Sequence, residues 1–316
     1  MIVPGKEENL KIAIIGAGRL GTTLGYAIAA KGHKKVKIVS VSSPSRGSIE
    51  RASAIFGGLG DDILFTNDNQ KAARIADTVF ICTPDDTIYA VCRELYDKRA
   101  GGKKTAVHFS GSKPLSVLQP AKEKGCTVVS IHPLKSFASI EEAIKTIKGT
   151  EYGVTYTDRA GECVADTIVG LLEGNSIFVK DESKPIYHAA ACIASNYLVA
   201  LIDYAVYINE RIGIEPQAST RGLLNLIEGT VKNIKKMGTK KSLTGPIARG
   251  DTGTIKDHLN MFRTLLEEKD TEVYRLMGRK TADLARENGW IGDKTYRMLT
   301  DILKDKQDRG REDDGR

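Results

Sequence analysis

Through the first half of the chain, short apolar runs alternate with stretches of helical spacing. Residues 11–15 read as a buried strand, 20–31 as a helix stopped at Gly32, 36–41 as a second strand and 46–56 as a helix. Residues 63–65, 78–82, 104–109 and 127–132 follow as strands, with helices over 87–96 and 115–124. Strands separated by helices of roughly 10–15 residues predict a parallel sheet with helices on both faces. Residues 152–157, 159–172 and 176–179 add one more strand–helix–strand element.

The pattern changes near Asp181-Glu182-Ser183. Beyond it only helical periodicity remains, over 184–211, 216–237, 254–267, 271–288 and 293–303. The first of these is apolar on most of its faces, so it must be buried on most sides. A small domain does not supply that much cover, and a homodimer through the helical half is expected. The expected division is residues 1–181, a doubly wound α/β domain, then 182–303, all-α, for substrate and dimerisation. The tail 304–316 is charged, nearly free of apolar residues and expected to be disordered.

Composition narrows the class. With 316 residues, 41% hydrophobic and 28% charged, the chain suits two ordinary globular domains. Extended disorder and disulfide-rich secreted folds are excluded. No run approaches 18 uncharged apolar residues, so no membrane helix is expected. The start, MIVPGKEENLKIAIIGAG, lacks the basic-then-apolar order of a signal peptide. The net charge is +7, but Lys and Arg are interspersed with acids along the chain, which argues against nucleic acid. Cys82, Cys92, Cys126, Cys163 and Cys192 show no C-x-x-C spacing. They read as reduced thiols of a cytoplasmic protein, with no metal site.

Gly16-Ala17-Gly18-Arg19-Leu20-Gly21 places G-x-G-x-x-G between a predicted strand and a predicted helix. In that context the first glycine permits the tight turn and the second lets the backbone approach a pyrophosphate. The third lets helix pack on strand. The helix N-terminus then offers free N–H groups to the phosphates. The fold expected is therefore a Rossmann-type sheet followed by an all-α domain. NAD-binding chains usually carry an acid at the end of the second strand, about 20 residues on. Here the sequence is Val41-Ser42-Ser43-Pro44-Ser45-Arg46. Hydroxyls and an arginine suit a 2′-phosphate, so NADP is favoured over NAD. Cys82-Thr83-Pro84 ends another strand at the ligand-binding edge and is expected to pass close to the cofactor. Asp85 or Asp86 would cap the helix that follows.

Residues 11–137, with ICTPDD, HFSGS and IHPLKSF in order, resemble the Rossmann-like domain of the 6-phosphogluconate dehydrogenase-like superfamily. That group includes 3-hydroxyisobutyrate dehydrogenases, pyrroline-5-carboxylate reductases and prephenate dehydrogenases. HAAACIASNYLVAL and SLTGPIARGDTGTIKDHL resemble the helical domain of a poorly characterised branch. Its members are usually assigned as oxidoreductases dependent on NADP or a deazaflavin coenzyme. The resemblance implies an NADP domain, a helical dimerisation domain and an active site in the cleft between them. Hydroxyisobutyrate relatives carry a lysine and an asparagine on the inter-domain helix. Here the segment offers His188 and Asn196, and no lysine follows Lys184.

Several residues are candidates for chemistry. His132 ends a strand at the ligand-facing edge and is placed for acid/base work or for donating to a carbonyl. Lys135 is a candidate for a substrate carboxylate or phosphate. Ser110 ends another strand and either takes part in catalysis or caps the helix after Pro114. His188, Cys192 and Asn196, at i, i+4 and i+8, form one polar stripe on an apolar helix. Thr244 and Arg249, in the Gly- and Pro-containing loop 242–251, suit an acidic substrate group. Together these predict hydride transfer between NADPH and a small carbonyl or imine bearing an acidic group. The alternative is a non-catalytic NADP-binding sensor or assembly protein.

Overall fold

The computed structural model describes residues 10–32, 36–59, 62–97 and 104–304. Its first elements are β1 (Leu10–Ile15), α1 (Arg19–Ala29), β2 (Val36–Ser42), α2 (Arg46–Phe56), β3 (Leu64–Thr66) and α3 (Asn69–Arg74). They are followed by β4 (Thr78–Ile81), α4 (Ile88–Tyr96), β5 (Thr105–His108), α5 (Gln119–Glu123) and β6 (Thr127–Pro133). Next come α6 (Ile140–Lys145), β7 (Glu151–Thr155), α7 (Arg159–Leu171) and β8 (Asn175–Phe178). The strands form one eight-stranded sheet in the order β3-β2-β1-β4-β5-β6-β7-β8. Reversal of strand order between β1 and β4 creates a crevice at the carboxyl ends, where ligands bind in such sheets.

Both faces of the sheet are covered. Ile12 and Ile14 of β1 point into one core with Leu24, Phe56 and Ile168. Ala13 and Ile15 point into the other with Ile88, Leu95 and Leu118. This alternation is the period-2 geometry of a strand buried on both sides.

The sheet departs from the sequence reading at β7, which runs antiparallel to β6 with Ser130 opposite Thr155 and His132 opposite Gly153. A parallel pair needs a crossover helix lying over the sheet. The intervening α6 packs on α1 instead, and the chain returns along β6. Helices α3 and α6 are too short to leave a periodic signal. The stretch read as one helix over 115–124 is a 3-10 turn, Leu115–Leu118, followed by α5 with Pro120 in its first turn.

The chain divides into compact units of residues 1–196 and 197–316, fifteen residues later than the expected boundary. The cause is α8 (Lys184–Ala194). Its Lys184 is 1% exposed and bonded to the sheet edge. The expected 28-residue helix is interrupted at Ser195 (φ −117°, ψ −68°), and α9 (Asn196–Arg211) begins there. Taken together, Asp181–Arg211 is long and apolar enough to cross a membrane by length and composition, contrary to the sequence reading.

In the second unit, α10 (Pro216–Lys241) bends at Gly238, whose φ is +78°. It is followed by α11 (Thr252–Leu265), α12 (Glu268–Glu287) and α13 (Asp293–Ile302). The core of this unit gathers Ile255, Leu259, Ala282, Ala285, Leu299 and Leu303 from the last three helices and the residue after them. The cover expected around the apolar helix is not supplied by the described residues. No residue of α9 is buried, and Val199 and Leu226 are 68% and 67% exposed. The expected tail, apart from Lys304, lies outside the described residues.

Candidate active site at the carboxyl edge of the sheet

The glycine-rich turn has the geometry its spacing demands. Gly16 adopts φ +110°, and a Cβ there would stand 2.6 Å from the Cys82 carbonyl oxygen. A Cβ on Gly21 would lie 2.1 Å from the Gly16 oxygen, so the helix could not approach the strand. Gly18 differs from both: no atom lies within 4 Å of its Cβ position. It starts α1 without any side-chain cap, leaving the first-turn N–H groups for an anion. Ala17 is fully buried beneath the turn.

Gly18, Arg19, Leu20, Cys82, Thr83, Pro84, Phe109 and Ser110 line a cavity of about 380 Å³, with Phe137 on one side. The Arg19 guanidinium donates to the Ala138 carbonyl at 3.1 Å. Burial pushes the Cys82 thiol well above its usual range, so it is an apolar wall. The Thr83 hydroxyl is buried and has no hydrogen-bond partner among the described residues. An unpaired buried hydroxyl on the wall of a cavity marks a place where a ligand atom completes the bonding.

At the end of β2 the expected phosphate ligands part company. Ser42 is fully buried and its hydroxyl donates to Asn69 Oδ1 at 2.8 Å, so it is withdrawn from the nucleotide contacts. Ser43 Oγ accepts from the Ser45 N–H at 3.3 Å. Ser45 caps α2 by accepting from the Ser48 N–H. Arg46 projects from that helix start with 92% of its side chain exposed, held to Glu50 at 2.8 Å. An arginine beside a helix N-terminus suits a phosphate.

A second cavity, of about 430 Å³, is lined by His132, Lys135, Ser136, His188, Cys192, Ser195 and Asn196. The i, i+4, i+8 stripe of the sequence thus lines one wall. Against the two imidazoles lies Gly111, whose Cβ would stand 2.6 Å from His188 and 2.8 Å from His132 Nε2. Glycine is what lets the two imidazoles come together, their rings 5.7 Å apart and nearly perpendicular. Burial first, then the nearby His188 and Lys184, lowers the His132 pKa to about 4, so the ring is neutral at pH 7. Asn196 is exposed in the chain and stands on the cavity wall.

Two of the expected residues hold the structure. Ser110 Oγ donates to Asp85 Oδ2 at 2.7 Å and accepts from the Ser112 and Lys113 N–H groups. Its hydroxyl is engaged on every side, and these bonds make Ser110 an anchor of the loop. The Lys135 ammonium donates to the Thr146 carbonyl and hydroxyl at 3.0 and 2.6 Å. It is a tether on the cavity rim with two of its three donors already used.

Several residues escaped the sequence reading. Asp85 does not cap the next helix but accepts from Ser110 and Ser112. Asp86 pairs with Lys113 at 2.7 Å. Lys184 Nζ donates to the Ser110 carbonyl at 3.0 Å and to Ser130 Oγ at 2.7 Å. Burial lowers its pKa to about 8 against the raising influence of Asp181 and Asp85. Beneath it, burial, Lys184 and His132 lower the His108 pKa to about 3. The one available signal for Lys184 was a lysine opening an otherwise apolar helix.

In the second unit, Thr244 and Arg249 are exposed on an ordered turn closed by Arg249 N–H to Gly245 O and Asp251 N–H to Pro246 O. Asp251 caps α11 through Thr254 at 3.2 and 2.7 Å. The bonds from Thr254 and, to a lesser degree, the charge of Arg249 hold the Asp251 carboxyl below its usual range.

Residues 4–133 match the model of a Rossmann-like domain, and residues 151–281 match a domain of unknown function, DUF2520. The chain thus couples a Rossmann-like domain to a DUF2520 domain whose match begins at β7, in keeping with the resemblance read from its motifs. Among solved structures it is similar to BF3122 from Bacteroides fragilis, provisionally an NADP oxidoreductase. Identity there is 21%, covering 88% of this chain and 100% of that one, with a TM-score of 0.69. Protein TM1727 from Thermotoga maritima shares 26% identity, covering 87% and 99%, with a TM-score of 0.65. A pyrroline-5-carboxylate reductase from Coxiella burnetii shares 14% identity, covering 95% and 100%, with a TM-score of 0.57. A comparison with curated proteins gave no match.

Proposed function

We propose that the protein is an NADP-dependent oxidoreductase acting on a small carbonyl or imine substrate with an acidic group. The observation that carries this reading is the uncapped, unobstructed start of α1 at Gly18, on a cavity whose Thr83 hydroxyl lacks a partner among the described residues. A second cavity is lined by His132, His188, Cys192 and Asn196. The similarity to provisionally NADP-linked BF3122 and to a pyrroline-5-carboxylate reductase supports it.

The Gly16–Gly21 turn would hold the pyrophosphate, with Ser43 and Arg46 beside the 2′-phosphate. Cys82, Thr83 and Pro84 would wall the nicotinamide half. When bound, NADPH supplies the hydride. His132 and His188 then bind and orient the substrate, and Asn196 adds an amide for a polar oxygen. Lys184 and Asp85 keep the loop from Ser110 to Ser112 in place. Thr244 and Arg249, exposed on the turn of the second unit, are the candidates for an acidic group. Five free cysteines suit a reducing, cytoplasmic setting. A homodimer built on the exposed apolar helices completes the assembly.

Fluorescence titration with NADPH tests the central claim: saturable binding is expected from wild type and a loss of at least about tenfold in Gly18→Ala, since a methyl there meets the phosphates. Wild type that does not bind NADPH would refute the reading.

A further inference from the structure

The charged residues lining the cavity beside the glycine-rich turn are Arg19 and Asp85. Arg19 opens α1 next to Gly18 and is tied to the Ala138 carbonyl at 3.1 Å. Asp85 is half-buried and follows Cys82, Thr83 and Pro84 directly at the carboxyl end of β4. Its carboxylate is therefore the anionic group in the wall that those three residues build.

That carboxylate is fixed but not neutralised. The Ser110 and Ser112 hydroxyls donate to Oδ2 at 2.7 and 3.1 Å. Ser110 is held in turn by the N–H groups of Ser112 and Lys113. Both hydroxyls are uncharged. Among the described residues Oδ1 has no hydrogen-bond partner and Asp85 has no ion pair. Two lysines feel its charge, and each is engaged elsewhere. Lys113 pairs with Asp86 at 2.7 Å, and Lys184 donates to the Ser110 carbonyl and the Ser130 hydroxyl. The cavity thus keeps a full negative charge in a wall that water only partly screens.

The two states of a nicotinamide cofactor differ in charge at one place. Loss of a hydride turns the neutral dihydronicotinamide into a cationic ring, while the phosphates stay the same. A fixed anion attracts the cationic ring and not the neutral one. Any repulsion between Asp85 and the phosphates is common to both states and cancels in the ratio of their affinities.

We propose that Asp85 sets the oxidised-to-reduced preference of this cavity, its carboxylate favouring NADP⁺ over NADPH. By linkage, a site that stabilises the oxidised form makes the bound reduced form a stronger hydride donor. The inference rests on the reading of this cavity as the nicotinamide pocket, and it gives that site a direction, the reduction of substrate.

The test is titration of the full chain with NADPH by fluorescence and with NADP⁺ by calorimetry, in wild type, Asp85→Asn and Asp86→Asn. Asparagine keeps an oxygen that accepts from both serines and removes the charge. Wild type should bind NADP⁺ at least as tightly as NADPH. In Asp85→Asn, NADP⁺ should weaken relative to NADPH by at least about fivefold. Asp86 does not line the cavity, so Asp86→Asn should leave the ratio within about twofold of wild type. A merely structural Asp85 would lower both affinities together. An unchanged ratio in Asp85→Asn, an equal change in Asp86→Asn, or a wild-type preference for NADPH overturns the proposal. The wild-type ratio is decisive even where Asp85→Asn does not fold. Wild type that binds neither nucleotide would sink the oxidoreductase reading itself, whereas an unchanged ratio with both nucleotides bound removes only the role of Asp85.

Discussion

Lys184 Nζ donates to the Ser130 hydroxyl at 2.7 Å, joining the first turn of α8 to β6 across 54 residues of sequence. The same ammonium donates to the Ser110 carbonyl. One cation thus ties the helix to both strands whose ends border the two cavities. Removing one partner of such a set leaves buried acceptors unpaired, at a cost of about 1–3 kcal/mol for each group.

Lys184→Met is therefore expected to lower stability at neutral pH by about 2 kcal/mol, the lost bonds being partly offset by relief of desolvation. Its pH dependence is diagnostic. The folded pKa of Lys184 is about 8 against an ordinary 10.5. Between those values the unfolded chain holds a proton that the folded chain has released, so wild-type stability rises with pH through this window. Relative to Lys184→Met, wild type should gain up to about 3 kcal/mol from below pH 8 to above pH 10.5. Denaturant melts at a series of pH values measure it, and a flat difference would contradict the placement of Lys184.

Gly18 and Gly21 belong to one motif and predict opposite phenotypes. In Gly21→Ala the new methyl would lie 2.1 Å from a backbone oxygen. That overpacking costs about 1–3 kcal/mol or more and lowers the melting temperature by several degrees. In Gly18→Ala the space is open, so stability changes by less than about 1 kcal/mol, from the poorer cap alone. Nucleotide affinity is lost all the same. Thermal melts with and without NADPH separate the two effects.

The contrast also shows what was legible in the chain. The glycine spacing and the buried apolar strands are local patterns, and both the turn and the strands of the sheet core follow from them. The reversal at β7 is not local. It depends on α6 packing on α1, which no periodicity announces. The stripe His188, Cys192 and Asn196 could be read from helical geometry and does line one cavity. Ser42, Ser110 and Lys135 could not be resolved. A serine or lysine at a strand end looks the same whether it faces a ligand or bonds its own backbone. Lys184 was hidden by the opposite ambiguity, because its partners Ser110 and Ser130 come from strands far away in sequence.

The helical half is expected to dimerise. Val199 and Leu226 are 68% and 67% exposed in the chain, and α9 buries none of its residues. Exposed apolar surfaces of this kind mark association, and a two-fold symmetric dimer is the commonest form. Light scattering should give about twice the 34.4 kDa chain mass. The double variant Val199→Glu and Leu226→Glu should shift the population to monomer while the first unit still binds NADPH. A wild-type monomer at micromolar concentration would contradict this.

The last expectation concerns the choice between NADP and NAD at the end of β2. Arg46 has 92% of its side chain exposed, and among the described residues its ion-pair partner is Glu50, one turn on along the same helix face. Exposed i, i+4 pairs of this kind are worth only a few tenths of a kcal/mol. A phosphate on the ribose offers a charge-assisted and, for arginine, bidentate contact that is stronger than the pair it replaces. Arg46→Ala should therefore weaken NADP binding by about tenfold or more, equivalent to about 1.4 kcal/mol, and leave NAD nearly unchanged. Ser42→Ala is the internal control. Its hydroxyl bonds Asn69 beneath the surface, so the variant should lose some stability and keep the NADP preference intact. Calorimetric titration of both nucleotides against the three proteins reads the outcome. Equal affinities in wild type, or a preference that survives Arg46→Ala and falls in Ser42→Ala, would place the 2′-phosphate elsewhere.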